Sequence, residues 1–419
     1  MSKLFNLPQF ARAVWILAGG RLLSEIGTGF TLFYAPIFFV NQVGISATLV
    51  GFAIGSGSLS GVFGRFFGGQ WVDSPQWGRR KTLLLSAAIS TLADVALILS
   101  NNFPTLVIGN LLMGLGVGLY WPATEAAIID LTTVEQRNEA FAVTRLADSL
   151  GLSLGVILGG ALVASEINPR LLFFFDGVSF AIFFLIIYFA ITETYNFATQ
   201  HNSDSNGWLT ALKDNRLTIF LIVNILFTTY LSQVQSTLPL YFKNFITTGE
   251  SQIGFSEKVI SGLFSWHITL AAIAQLPVAR WLNNFSRIQA LTISLIFWGA
   301  GFMLIWLTGT SSNYALVLAI AALGIMSLAM ISYTPSASAY IADIAPESLR
   351  GIYLSFNSQC WAIGYFIGPS IGGFALDKSA NFVSNYWLGC SFSIAIAFSI
   401  LKYLQTICDR VENSESNKT

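Results

Sequence analysis

Twelve apolar stretches, each long enough to cross a bilayer as a helix, set the strongest limit on what this chain can become. A transmembrane helix needs about 20 predominantly apolar residues. Such runs read near residues 13–40, 47–71, 82–100, 104–127, 140–164 and 171–191. A second set reads near 217–242, 258–282, 288–309, 313–335, 352–376 and 383–406. The chain carries 54% hydrophobic and 10% charged residues, where a soluble domain carries roughly a quarter charged. The expected fold class is an all-α polytopic membrane protein of twelve transmembrane helices.

The N-terminal "MSKLFNLPQFARAVWILAGG" places cations ahead of an apolar run that continues to about Val40. That is too long for a signal-peptide core, and no small-x-small site follows, so the run reads as a retained first span. The longest polar segment, "TETYNFATQHNSDSNGWLTALKDNR", lies between the two sets of spans. It divides the chain into an N-terminal six-helix bundle (1–191), a linker (192–216) and a C-terminal six-helix bundle with a short tail (217–419).

Orientation follows from the distribution of cations. One set of inter-span segments holds Lys3, Arg12, Arg79, Arg80, Lys81, Arg137, Lys213, Arg216, Arg280, Arg287, Arg350, Lys402, Arg410 and Lys418; the opposite set holds Arg170, Lys243, Lys258 and Lys378. The positive-inside rule then predicts both termini, and the linker, on the cytoplasmic side of a plasma (inner) membrane. The zero net charge offers no electrostatic footprint for nucleic acid. Cys360, Cys390 and Cys408 have no metal-like spacing and read as small core residues.

The two halves repeat one another. "YWPATEAAIIDLTTVEQRNEAFAVTRLADSLGLSLGVILGG" from Tyr120 aligns without a gap on "YTPSASAYIADIAPESLRGIYLSFNSQCWAIGYFIGPSIGG" from Tyr333, with 10 identities in 41 positions. Pro122/Pro335, Asp130/Asp343, Arg137/Arg350, Gly151/Gly364, Gly155/Gly368 and Gly159–Gly160/Gly372–Gly373 are among them. "PIFFVN" at the end of span one mirrors "PLYFKN" at the end of span seven. Six spans separate the copies, so the halves form a parallel repeat.

On these residues the chain resembles the major facilitator superfamily over its whole length, and within it the twelve-span drug/proton exporter branch. "GGQWVDSPQWGRRK" is similar to the family motif G-x-x-x-D-(R/K)-x-G-R-(R/K), through Gly69, Asp73, Gly78, Arg79, Arg80 and Lys81. Four residues, "SPQW", stand between Asp73 and Gly78 where the family has two, and Ser74 takes the place of a cation. "GYFIGPSIGG" (364–373) resembles the family's GxxxGPxxGG element; span five carries Val156 at the proline position. The resemblance implies a secondary transporter that works by alternating access, with a site near the midplane. It also implies a cytoplasmic gating loop of Gly69, Asp73, Gly78, Arg79 and Arg80 acting with Asp130 and Arg137. Asp73 would accept from the free N–H groups at the start of span eleven, where an anion is favoured by roughly 0.3–1 kcal/mol.

Ionisable groups inside spans are costly and mark function by default. Arg21 and Glu25 share a helix face at i,i+4 spacing, and Arg145 and Asp148 do so at i,i+3. Each pair reads either as a neutralised strut or as a titrating site, with Glu25 the first candidate for proton coupling and Asp148 the second. Asp94 in span three and Asp176 in span six have no partner on their own helix. In the second half Gln233, Gln235 and Asn224 could hydrogen-bond a solute, and His267 reads more readily as a satisfied core side chain than as a coupling group. Gly151, Gly155 and Gly159, like Gly364, Gly368 and Gly372, recur every fourth residue and permit close backbone approach. Pro369 removes a backbone donor and offers a bending point.

No G-x-x-x-x-G-K-[ST] loop and no nucleophile–base set is present in the sequence, so an enzyme is not expected, nor a cofactor or metal. The expected function is proton-coupled efflux of small lipophilic or amphipathic compounds by a monomer in the lipid bilayer. An uptake symporter or facilitator for a sugar, organic acid or other metabolite, and a transporter-like sensor or assembly factor, stand beside it.

Overall fold

The computed structural model describes residues 10–72, 74–165, 168–194, 207–248, 252–346 and 349–416. The chain is a succession of helices. The first six spans are α1 (Arg12–Leu32) continued by α2 (Tyr34–Asn41), α3 (Ala47–Val72), α4 (Gly78–Ile98), α5 (Phe103–Asp130), α6 (Val134–Ala164) and α7 (Arg170–Ala190). The short α8 (Gly207–Leu212) precedes α9 (Asn215–Asn244), α10 (Glu257–Leu282), α11 (Arg287–Thr310), α12 (Ala315–Ile344), α13 (Arg350–Leu376) and α14 (Ala380–Ser416). Thr247–Thr248 and Gln252–Ile253 form a small antiparallel ladder between α9 and α10. These helices make a multi-pass membrane protein of all-α class.

Each apolar run became helical, the first as α1 and α2 in succession, and the ends moved where polar residues supply caps. α6 starts at Val134, ahead of its apolar run, because Thr133 and Gln136 close a reciprocal capping box. Ser286 and Gln289 do the same for α11. At the end of the linker Asp214 caps α9 by accepting from the Arg216 N–H at 2.9 Å, and it also accepts from the Tyr353 hydroxyl at 2.9 Å. Burial pushes the Asp214 carboxyl up, but these bonds and the Arg216 guanidinium outweigh it and hold the group below the usual range.

The described residues cluster into two compact units. The first holds residues up to 45 and 56–201; the second holds 46–55 and 202 onward. In the first, α4 packs on α5 and α7, and α1 packs on α6 and α7. In the second, α11 packs on α12 and α14, and α9 packs on α13. Third span on fourth and sixth, first on fifth: the same pairings recur in each unit.

Glycine makes the pairing of the first and fifth spans possible. A Cβ added to Gly155 of α6 would lie 2.1 Å from the Ile26 carbonyl oxygen of α1, and one on Gly151 would lie 2.4 Å from that of Leu22. In the second unit a Cβ on Gly364 would fall 2.1 Å from Thr228 Oγ1, and one on Gly368 1.8 Å from Ser232 Oγ. Apolar lipid gives no hydrophobic drive between helices, so close backbone contact carries the association. We expect Gly155→Leu to separate α1 from α6 and to destabilise the protein by more than the ~1–3 kcal/mol of an ordinary overpacked site. A thermal melt of purified protein in detergent checks this, with unchanged stability counting against the packing role.

Candidate functional site

The charged residues of the first unit gather around one guanidinium. Arg21 of α1 is buried, and its Nη2 lies 3.0 Å from Glu25 Oε1, one turn along the same helix. Its Nε donates to Asp148 Oδ1 of α6. The guanidinium also lies 4.4 Å from the Tyr120 ring centre and 4.5 Å from that of Trp121, both on α5. Aromatic faces attract a desolvated cation, so Arg21 is held from three helices. Among the described residues, two carboxylates therefore share the Arg21 guanidinium. The Arg145 side chain, which the sequence pairs with Asp148, lies outside the described residues.

The loop before α4 is organised by acids from elsewhere in the same unit. Gly78 has φ +69°, the left-handed region that glycine adopts freely. The Glu193 carboxylate sits over it and accepts from the Arg79 N–H at 2.9 Å and the Arg80 N–H at 3.1 Å. Arg79 Nε lies 2.9 Å from Asp130 Oδ2, an ion pair off the hydrogen-bond line. Asp130 also accepts from the Thr194 hydroxyl at 3.1 Å. Arg80 donates to the Tyr188 carbonyl at 2.7 Å. A Cβ on Gly69 would meet nothing within 4 Å. Asp73, and the side chain of Arg137, lie outside the described residues.

Polar side chains of the second unit join helix to helix. Asn224 donates to Asn357 Oδ1 at 2.7 Å and accepts from the Tyr333 hydroxyl. Gln233 donates to the Gly368 carbonyl at 3.1 Å and contacts the Tyr386 hydroxyl. Gln235 is less enclosed. His267 Nδ1 lies 3.0 Å from the Leu323 carbonyl oxygen and 2.7 Å from Ser327 Oγ. Gly372 faces Thr237 and Gln233, and a Cβ on Gly51 would lie 1.9 Å from the Pro369 carbonyl oxygen. Asp377 follows α13 and accepts from the Ala47 and Thr48 N–H groups at 3.0 and 2.8 Å, capping the start of α3.

Sequence spacing paired Arg21 with Glu25 and the structure keeps that pair. It missed Tyr120 and Trp121, although Tyr120 opens the internal repeat, and it missed the caps supplied by Glu193 and Asp377. A partner on a distant helix leaves no spacing to read. Asp94 and Asp176, read singly, lie fully buried on the facing helices α4 and α7.

A helical duplication with buried charge in one copy defines the architecture of a secondary transporter. The profile of the Major Facilitator Superfamily matches residues 17–249 and 244–418, so the chain belongs to that superfamily and is a transporter, not an enzyme. It is 24% identical over 389 residues to "Multidrug resistance protein 1" of Bacillus subtilis (strain 168), covering 92% of this chain and 95% of that protein. It is 25% identical over 413 residues to the "Na(+), Li(+), K(+)/H(+) antiporter" of Planococcus maritimus, covering 91% and 92%. The nucleoside transporter NupG shares the fold, with a TM-score of 0.78 at 14% identity over 93% of this chain and 99% of that one.

The loop geometry makes a coupled prediction. Gly78→Ala should cost more than the ~1–2 kcal/mol of placing alanine in left-handed backbone, because its Cβ would lie 2.5 Å from the Glu193 carboxylate. Glu193→Ala should remove that excess while itself losing the cap on α4. Melting temperatures of the two single variants and the double variant check this; simple additivity would refute the contact.

Proposed function

We propose that this chain is a proton-coupled exporter of small lipophilic or amphipathic compounds in the plasma (inner) membrane, with both termini cytoplasmic. The reading rests on charge arithmetic at Arg21. Among the described side chains one guanidinium faces two enclosed carboxylates, Glu25 and Asp148, so these three groups are neutral together only when one acid carries a proton. An uncompensated charge at this depth is costly, and the cluster therefore exchanges a proton whenever alternating access wets it from a new side. Protonated Glu25 releases part of its hold on Arg21, which links proton uptake to the packing of α1 on α6. The likeness to multidrug resistance proteins supports export.

The remaining candidates take supporting roles in this reading. Asp73 acts with Gly69, Gly78, Arg79, Arg80, Asp130 and Arg137 in cytoplasmic gating, and Pro369 lets α13 bend. The bundles 1–191 and 217–419 rock about the 192–216 linker.

Glu25→Gln decides the coupling. In proteoliposomes with an imposed pH gradient, the variant should bind cargo but lose gradient-driven export, with Asp148→Asn impaired less. Undiminished gradient-driven export in Glu25→Gln would sink the proposal. Alkali-cation exchange is the second reading, carried by the likeness to the Planococcus maritimus antiporter. Sodium- or potassium-dependent proton release from cargo-free proteoliposomes would select it.

A further inference from the structure

Asp94 and Asp176 occupy a place that neither reading above uses. Asp94 sits on α4 and Asp176 on α7, which pack together, and their side chains are 0% and 1% exposed. Glycines shape the space around them. A Cβ on Gly177 would lie 3.0 Å from Asp94 Cβ, and one on Gly27 of α1 would lie 2.4 Å from Asp176 Oδ1. The two carboxyls feel each other electrostatically. Asp94 Oδ1 and Oδ2 and Asp176 Oδ1 are buried without a hydrogen-bond partner. The remaining oxygen, Asp176 Oδ2, accepts from the Thr31 hydroxyl at 3.2 Å. That hydroxyl has the Thr28 carbonyl as an alternative acceptor at 3.1 Å.

Among the described residues the neighbouring charges supply no counter-ion. Arg170, on α7, donates to the carbonyls of Ile98 and Ser100 and to Asn101 Oδ1 at the end of α4. Arg21 on α1 is held between Glu25 and Asp148. Glu25 adds a further negative charge that Asp176 feels. α5, packed on α4, carries its acids Glu125 and Asp130 at its far end, beyond Gly109, which meets Leu97 at the level of Asp94. The nearby Ser179 hydroxyl is turned to the Asp176 main-chain carbonyl at 2.7 Å.

Two carboxylates enclosed without a cation among the described residues cannot both stay ionised. An ionised carboxylate only accepts, whereas a protonated one also donates, so a proton supplies the donor that the orphaned oxygens lack. We propose that Asp94 and Asp176 form a proton-binding dyad, a second titrating site separate from the Arg21 cluster. A dehydrated alkali ion would want several neutral oxygens; Thr31 is the one side-chain hydroxyl directed at the pair among the described residues, and the surrounding carbonyls belong to helices. The inference stands whether or not Glu25 couples transport.

Infrared spectroscopy of the purified protein tests it. A carboxylic-acid carbonyl band should be present at neutral pH and should shift when aspartate, but not glutamate, is carbon-13 labelled. That labelling leaves the fold untouched. The band should survive in Asp148→Asn and Glu25→Gln and disappear in the Asp94→Asn/Asp176→Asn double variant. Absence of an aspartate-labelled acid band overturns the proposal, as does its persistence in the double variant. Loss of the band on adding sodium or potassium chloride at fixed pH also overturns it, by making the pair an alkali-ion site.

Discussion

Close contact between helix backbones is the constraint on which both units rest. Acyl chains are as apolar as leucine, so helices in lipid gain little by hiding leucine from the surroundings. They gain from dispersion contacts, which fall away within a fraction of an ångström of a gap. Glycine stripes permit that approach, and they occur where each unit joins its first span to its fifth: Gly151 and Gly155 on Leu22 and Ile26, Gly364 and Gly368 on Thr228 and Ser232. The bulky side chains are then free to face outward, as Phe63, Phe66, Phe189 and Ile273 do.

The same contact has been used differently in the two copies. On α1 the residues beside the stripe are Arg21 and Glu25, and closeness brings Asp148 within reach of the guanidinium. On α9 they are Asn224, Thr228 and Gln233, whose bonds end on α13 side chains and carbonyls. A neutral hydrogen bond needs no proton exchange to remain satisfied. A guanidinium shared by two acids does need one in the proposed mechanism. Duplication thus supplied one scaffold twice, and divergence of a few side chains made one copy ionic and the other amide-rich.

The fold was legible because the bilayer imposes one length and one polarity on each span, and those are properties of consecutive residues. The cap residues Thr133 with Gln136 and Ser286 with Gln289 lie three apart and are equally local. The site was legible only as far as spacing reaches. Arg21 and Glu25 are one turn apart and could be paired; Asp148 stands 127 residues from Arg21, too far along the chain for spacing to join them. Asp94 and Asp176 each looked solitary for the same reason. Their meeting depends on α4 packing on α7 and on Gly177 lacking a side chain, which no periodicity records.

The loop before α4 shows how a departure from a family pattern is absorbed. The segment "SPQW" adds length between Asp73 and Gly78, and the structure spends it on a turn. Ser74 accepts from the Trp77 and Gly78 N–H groups at 3.2 and 2.9 Å, while Trp77 stacks on Trp71 with ring centres 5.1 Å apart. Gly78 then reverses the chain through positive φ, so Arg79, Arg80 and Lys81 fall in the first turn of α4. Cations there oppose the helix dipole, which favours anions at an N-terminus. Glu193 answers the dipole by taking the Arg79 and Arg80 N–H groups, and Asp130 answers the Arg79 side chain. Both acids belong to the first unit, one at the end of α5 and one just after α7. The basic loop is therefore tied to the ends of two helices, and any movement of α5 or α7 is felt directly at the start of α4.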